Sequence, residues 1–338
     1  MHGISVIICC YNSEHRLPQT INHLIAQSFN GFRVEIILVD NASTDNTSIV
    51  AFDLLKSQSK ISYKIVKEPI PGLSNARKKG IDSSSYDVLL FCDDDNWLNP
   101  SYLATTYNLL IKHEDIMLLG GIGEPVFEKE KPIWFDEFQL NFACGKLTTN
   151  ETNELEYGSF VYGAGMSIRK AFFEQLEKIN FSSVLSDRKG NELSSGGDTE
   201  YCIVANMLGY KIANSNKLTF KHFMSDGRMN FNYLKQLHRG FGKTRVYTQL
   251  YNDVISNSEI SGKNLKLPFW KDKLIHKKRE LYKMYPKILF AFLFKNSRDI
   301  ILKFEAQKGE VEERNKLKAD ITNVYTLVYT LKKNIERL

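Results

Sequence analysis

The apolar positions of the first hundred residues fall into short runs. Ile4-Ser-Val-Ile-Ile-Cys-Cys10, Val34-Glu-Ile-Ile-Leu-Val-Asp40, Ile61-Ser-Tyr-Lys-Ile-Val66 and Val88-Leu-Leu-Phe-Cys92 are dense in β-branched and aliphatic residues. Runs of this kind predict strands buried on both faces of a mostly parallel sheet. Between them lie segments of helical length: one through about Ser28, one after the polar cap residues Asn41 to Asn46, and one from Gly72 through Ser84. Strands alternating with helices imply βαβ units with right-handed crossovers, hence a doubly wound α/β domain. Ligands of such sheets bind beyond the carboxyl ends of the strands. Tyr11, Asp40 and the cluster Asp93-Asp94-Asp95 all stand at those ends. Further on, Gly120 to Lys146 departs from a regular pattern and carries Trp134, Phe135 and Phe142. Lys217 to His222 predicts another strand, ending in a histidine.

The three adjacent carboxylates need a cation. If strand geometry persists to its end, Asp93 and Asp95 face one way and Asp94 the other. Oxygen donors converging there suit Mg²⁺ or Mn²⁺, which take remaining ligands from water and substrate phosphates. The alternative is a solvated acidic turn, as charge runs often are. No Gly-x-Gly-x-x-Gly follows the first strand and no phosphate loop of the Gly-x-x-x-x-Gly-Lys-Ser/Thr type occurs, which argues against dinucleotide and P-loop folds.

Composition narrows the picture. The 338 residues, 43% hydrophobic, allow one large α/β domain with an appendage or two domains. The five cysteines have neither metal-site nor disulfide-framework spacing, and read as small hydrophobes in a reducing compartment. No opening segment has the build of a secretory signal. The longest apolar run near the end, Ile288 to Phe294, has seven residues against roughly 20 for a spanning helix. The sequence therefore predicts a cytoplasmic protein. The net charge of +6 is uneven: Gly262 to Leu338 holds 19 Lys and Arg against 9 Asp and Glu, the preceding residues 26 against 30. A basic tail suits an anionic partner, and a solvated helical face explains it equally.

Ser5-Val-Ile-Ile-Cys-Cys-Tyr-Asn12, Glu35-Ile-Ile-Leu-Val-Asp-Asn-Ala-Ser-Thr-Asp45, Gly72-Leu-Ser-Asn-Ala-Arg77 and the carboxylate cluster, in that order and spacing, resemble the family 2 glycosyltransferases of the GT-A fold. The resemblance covers roughly residues 3 to 245. It implies a GT-A catalytic domain over 1–245 with a basic helical extension over 246–338, and a site for a nucleotide-diphosphate sugar, UDP before GDP or dTDP. By matching position, Cys9, Tyr11 and Asp40 would hold the base, Arg77 the diphosphate or ribose, Asp94 the ribose, and Asp95 the divalent metal (Mn²⁺ or Mg²⁺) with Asp93 close by. The residue types agree: a Tyr ring stacks on a pyrimidine, a carboxylate accepts from a ring N–H, and Arg offers planar donors to phosphate. For Arg77 the plain alternative is a basic residue on a helix surface beside Lys78 and Lys79.

By the same resemblance, Val161-Tyr-Gly-Ala-Gly-Met-Ser-Ile-Arg169 is a glycine-containing strand lining the donor sugar, with Gly163 and Glu200 candidate sugar contacts. A His at the place of His222 completes the metal shell or touches the diphosphate in several such enzymes, and the plain alternative is a structural histidine at a strand end. Trp134 is a candidate for stacking on a sugar face, or a core aromatic. Gly196-Gly-Asp-Thr-Glu200 matches the family's Gly-Asp-x-Glu motif, whose Asp is the general base. Asp198 takes that role and Glu200 helps to position the site. The plain alternative for Asp198 is an N-cap of the helix that follows.

Together these predict an inverting transfer to a hydroxyl of a glycan or lipid-linked acceptor in cell-surface polysaccharide synthesis, with Asp198 as base. Two rivals stand beside it: a sugar-phosphate nucleotidylyltransferase, for which a glycine-rich loop after the first strand is missing, and a non-catalytic binding protein, which leaves the carboxylates without a role. Nucleic acid is not expected as a partner. Leu317, Ile321, Val324, Val328, Leu331, Ile335 and Leu338 repeat at heptad spacing, either a homodimer coiled coil or a helix packed on its own domain. Tyr282 to Phe294, with its lysines, could rest on the inner face of a membrane.

Overall fold

The computed structural model describes residues 3–147, 155–185, 196–256, 268–291 and 298–338. The chain runs β1 (Gly3–Cys10), α1 (Leu17–Ile25), β2 (Arg33–Asp40), α2 (Thr47–Leu55), β3 (Ser62–Lys67), α3 (Leu73–Ser83), β4 (Val88–Phe91), β5 (Asn96–Leu98), α4 (Tyr102–Lys112) and β6 (Ile116–Phe127). It continues through α5 (Phe135–Phe138), β7 (Glu156–Gly158), β8 (Ser167–Arg169), α6 (Ala171–Lys178), α7 (Gly197–Met207), β9 (Lys211–Met224), α8 (Phe231–Ser256), α9 (Pro268–Ala291), α10 (Arg298–Lys316) and α11 (Ile321–Ile335).

One sheet carries the first compact unit, in the order β3-β2-β1-β4-β8-β6-β9-β5 with β7 also on β9. β3, β2, β1 and β4 are mutually parallel, as the alternation of apolar runs predicts. β1 is buried along almost its whole length, and Ile4, Val6, Ile8, Ile36, Leu38 and Leu90 pack with Leu17, Ile21 and Leu24 of α1 in one core. Burial of such side chains contributes roughly 1.5–3 kcal/mol each. β8 then enters antiparallel between β4 and β6, turning the parallel half into a mixed one.

The Gly120–Gly123 stretch lies inside β6 rather than in an irregular loop. The glycines fit because other groups press on that strand. A Cβ at Gly121 would stand 2.3 Å from the Leu218 carbonyl oxygen, and one at Gly123 2.2 Å from that of Ala143. The expected strand from Val161 is also shorter. Gly163 to Gly165 form a turn, with Gly165 at φ +70°, and only Ser167–Arg169 pair.

The chain divides into two compact units, one of residues 1–177 and 201–226 and one of 178–200 and 227–338. Position 245 falls inside α8, which runs unbroken from Phe231 to Ser256. In the second unit α8 and α10 meet backbone to backbone: a Cβ at Gly242 would fall 1.8 Å from the Ala306 carbonyl oxygen, and one at Gly309 2.0 Å from that of Arg239. Arg314 is buried there between Glu310 at 2.9 Å and the Trp270 ring at 4.8 Å. Ile321, Val324, Val328 and Leu331 of α11 are also buried within this unit, and Lys332 Nζ donates to the Val254 carbonyl at 3.0 Å. These four seam positions are thus covered within the unit, while Leu338 at the end of the seam is exposed. Among the described residues no helix is long and apolar enough to cross a membrane.

Candidate active site

β4 stops at Phe91 and the acidic stretch turns. Cys92 N–H still donates to the Ile7 carbonyl on β1, but Asn96 N–H then closes on the Asp93 carbonyl at 3.1 Å while Asp93 N–H donates to Asn96 Oδ1 at 3.2 Å. Asp94 and Asp95 occupy this turn, so the expected two-faced alternation does not hold. Asp94 is held by Arg16, whose Nη2 donates to its Oδ2 at 2.7 Å, and by the Ser13 hydroxyl. Burial and the charge of Asp95 push the Asp94 carboxyl above the ordinary range, against the pull of Arg16. The Asp94 carboxylate thus already carries internal donors, while its side chain stays 13% exposed.

Asp95 is 9% exposed and His222 4%. Pairing of β5 with β9 sets Asn96 opposite His222 and brings His222 Nε2 to 3.5 Å from Asp95 Oδ1. Asn96 Nδ2 donates to that same oxygen at 3.1 Å, and Phe223 N–H to the Asp95 carbonyl at 2.9 Å. Residues 127 apart in sequence thus meet because a short strand leaves the acidic turn and joins β9. Among the described residues no three His, Cys, Asp or Glu side chains form a metal-binding group. A carboxylate and an imidazole nevertheless fit a cation that draws its other ligands from diphosphate and water, as Mg²⁺ and Mn²⁺ do. Cys10 and Cys92 are not thiolate donors: burial first, then the neighbouring carboxylates, push both thiols well up.

The residues matched to nucleotide binding line the adjacent strand ends. Tyr11 follows β1 and is 56% exposed, and Cys9 is partly exposed in β1. Asp40 ends β2 directly beside Cys10, its carboxylate accepting Ser43 N–H at 3.1 Å and the Ser48 hydroxyl at 2.5 Å. Arg77 is no surface residue: it is buried on α3, its guanidinium 5.4 Å from the centre of the Phe91 ring. Asn41 orders the approach to α3 by donating to the carbonyls of Glu68 and Ile70 and accepting Gly72 N–H at 2.8 Å. Arg16, Ser13 and Asn41 escaped the sequence reading. The signal available for Arg16 was a basic residue in the loop after β1, where the acidic cluster needs a counter-charge.

Trp134 is 7% exposed, its ring centre 6.0 Å from that of Phe142, so it is a core aromatic and not an open sugar platform. Gly163 stands in the turn before β8. In the second unit Glu200 is 1% exposed and spoken for: Oε1 accepts Val184 N–H at 2.9 Å and the Tyr251 hydroxyl at 2.7 Å, and Oε2 accepts the Ser183 hydroxyl and Leu185 N–H. Burial pushes the Glu200 carboxyl up, and those hydrogen bonds pull it back in part. Glu200 thus anchors the Ser183–Leu185 segment and Tyr251 to the first turn of α7. Asp198 lies in the first turn of α7, inside the helix and not at its N-cap, and its Oδ1 accepts Thr199 N–H at 2.8 Å. α7 closes at Met207, and Gly209 beyond it takes φ +79°, with bonds from Gly209 N–H to the Asn206 carbonyl and from Tyr210 N–H to the Ala205 carbonyl.

A parallel βαβ half, a mixed half that carries a strand back past an acidic turn, and carboxylates at the strand ends define the class: a glycosyltransferase of the GT-A fold. The profile of Glycosyl transferase family 2 matches residues 5–176, and the chain belongs to that family. It is 22% identical over 277 residues to the glucosyl-dolichyl phosphate glucuronosyltransferase of Haloferax volcanii, covering 80% of this chain and 85% of that protein. Among solved structures, S. aureus TarS residues 1–349 in complex with UDP-GlcNAc superimposes with a TM-score of 0.53 at 15% identity, over 95% of this chain and 92% of that one. GalNAc-T7 with UDP, GalNAc and Mn²⁺ gives 0.52 at 15% identity, over 75% and 51%.

Proposed function

We propose that the protein is an inverting transferase that moves a sugar from a UDP-sugar to a hydroxyl of a glycan or lipid-linked acceptor of the cell surface. The observation that carries this reading is the buried Asp95–His222 pair at the carboxyl edge of the sheet. Two structurally similar proteins were solved with UDP or a UDP-sugar, one of them with Mn²⁺. Exposed Tyr11 offers a ring face to the base, and Arg77 offers cationic charge toward the diphosphate. Asp95 and His222 would hold Mn²⁺ or Mg²⁺, with Asp93 beside them. A bound divalent cation supplies positive charge against the diphosphate as it leaves. Asp198 takes the proton of the acceptor hydroxyl, a task commonly worth about 10²–10⁴ in rate. Asp198→Asn should therefore keep UDP affinity and lose turnover of the sugar nucleotide by that factor, measured by UDP release; equal turnover would remove the base assignment.

A second reading concerns location. On α9, Ile275, Tyr282, Tyr285 and Leu289 are exposed among Lys271, Arg279, Lys283 and Lys287, a basic face with apolar side chains suited to an anionic bilayer. Sedimentation with phosphatidylglycerol vesicles should fall when Tyr282 and Leu289 are both replaced by Ser; unchanged sedimentation would discard this reading.

A further inference from the structure

Arg16 has no part in the chemistry proposed above, yet it makes a close charged contact with the acidic turn. Its Nη2 donates to Asp94 Oδ2 at 2.7 Å, and its Nε lies 3.4 Å from Oδ1. The Asp94 carboxylate also accepts the Ser13 hydroxyl, and Thr20 Oγ1 donates to the Asp94 carbonyl at 2.8 Å, which fixes the peptide leading into Asp95. Ser13 extends the chain of contacts: its Oγ accepts Tyr11 N–H at 3.1 Å, and its own N–H donates to Thr47 Oγ1 at 2.8 Å. One hydrogen-bonded path thus runs from the backbone of Tyr11 to the turn that presents Asp95.

We propose that Arg16 is a positioning residue of the donor site. It holds Asp94 as an internal counter-ion, and through Ser13 it ties the Tyr11 loop to the Asp95 turn, so that the base end and the diphosphate end of the nucleotide meet one fixed geometry. Pairing Asp94 with Arg16 also offsets one of the three negative charges crowded into the turn that carries Asp95. The inference rests on the donor-site reading above. It differs from a direct role for Asp94, in which that carboxylate would touch the ribose and Arg16 would be dispensable.

Calorimetric titration of Mn²⁺ and UDP into the full chain separates these cases. Arg16→Met and Asp94→Asn should each weaken binding about ten-fold, and the double variant should bind no worse than about either single one, because partners in one ion pair are strongly non-additive. Arg16→Lys, which keeps the charge, should recover part of the affinity. Wild-type binding that Arg16→Met leaves unchanged would overturn the proposal alone, even if the thermal midpoint fell, since that pattern marks a structural pair. Additive losses, or a loss confined to Asp94→Asn, would overturn it in favour of a direct ligand. A wild-type chain that binds no UDP at all would overturn the donor-site reading and this inference with it.

Discussion

Glu35 shows how much a single polar residue inside an apolar run can carry. It sits in β2 at 3% exposure, accepting the Ser5 hydroxyl and Ser85 N–H at 2.6 Å each, with Lys64 at 3.3 Å. Burial alone would raise its carboxyl, but these donors outweigh it and hold the carboxyl below the ordinary range. A depressed carboxyl contributes stability above its unfolded value and loses it as the pH falls through the folded one. The stability gap between wild type and Glu35→Gln, read by urea unfolding, should therefore be full at pH 7 and shrink on acidification below about 4.3; a gap constant with pH would contradict this. Glu200 in the second unit is the opposite case, a buried acid with all its bonds made inside. Tyr251→Phe, which removes one of them, should cost about 1–3 kcal/mol in the same assay. At this scale the sequence disclosed the acids but not their partners. Motifs single out Asp198, Asp95 and His222 as candidates, whereas the contacts of Arg16, Ser13 and Asn41 join loops that no local pattern encodes.

Among the elements, the parallel half of the sheet was readable because each strand is buried on both faces and so appears as an unbroken apolar run. Strands with one wet face or a glycine bend were not. β6 looked irregular, although its glycines are what allow Ala143 and Leu218 to press on it, and β5, at three residues, is too short to leave a periodic trace. The helices of the second unit give a sharp test. Gly242→Ala places a methyl against the Ala306 carbonyl and should destabilise the chain by about 3 kcal/mol or more, whereas Gly227→Ala, with open space around it, should stay within about 0.5 kcal/mol. Equal effects of the two would show that α8 and α10 do not approach so closely.

Over the whole molecule, the family profile and the apolar alternation agree on the first unit, and the sequence placed its carboxylates at the correct edge of the sheet. The division between the units was harder to see. The segment 178–200 belongs with the residues after 226, and such a return of the chain depends on tertiary packing that no composition change marks. The account as a whole depends on a metal-assisted nucleotide site built on Asp95. The most direct test is the thermal midpoint of wild type and Asp95→Ala with UDP, GDP or dTDP, each with and without Mn²⁺. Saturating UDP with Mn²⁺ should raise the wild-type midpoint by several degrees, more than UDP alone, and Asp95→Ala should lose the metal-dependent part. No shift with any nucleotide, or a UDP shift indifferent to both Mn²⁺ and Asp95→Ala, would contradict it.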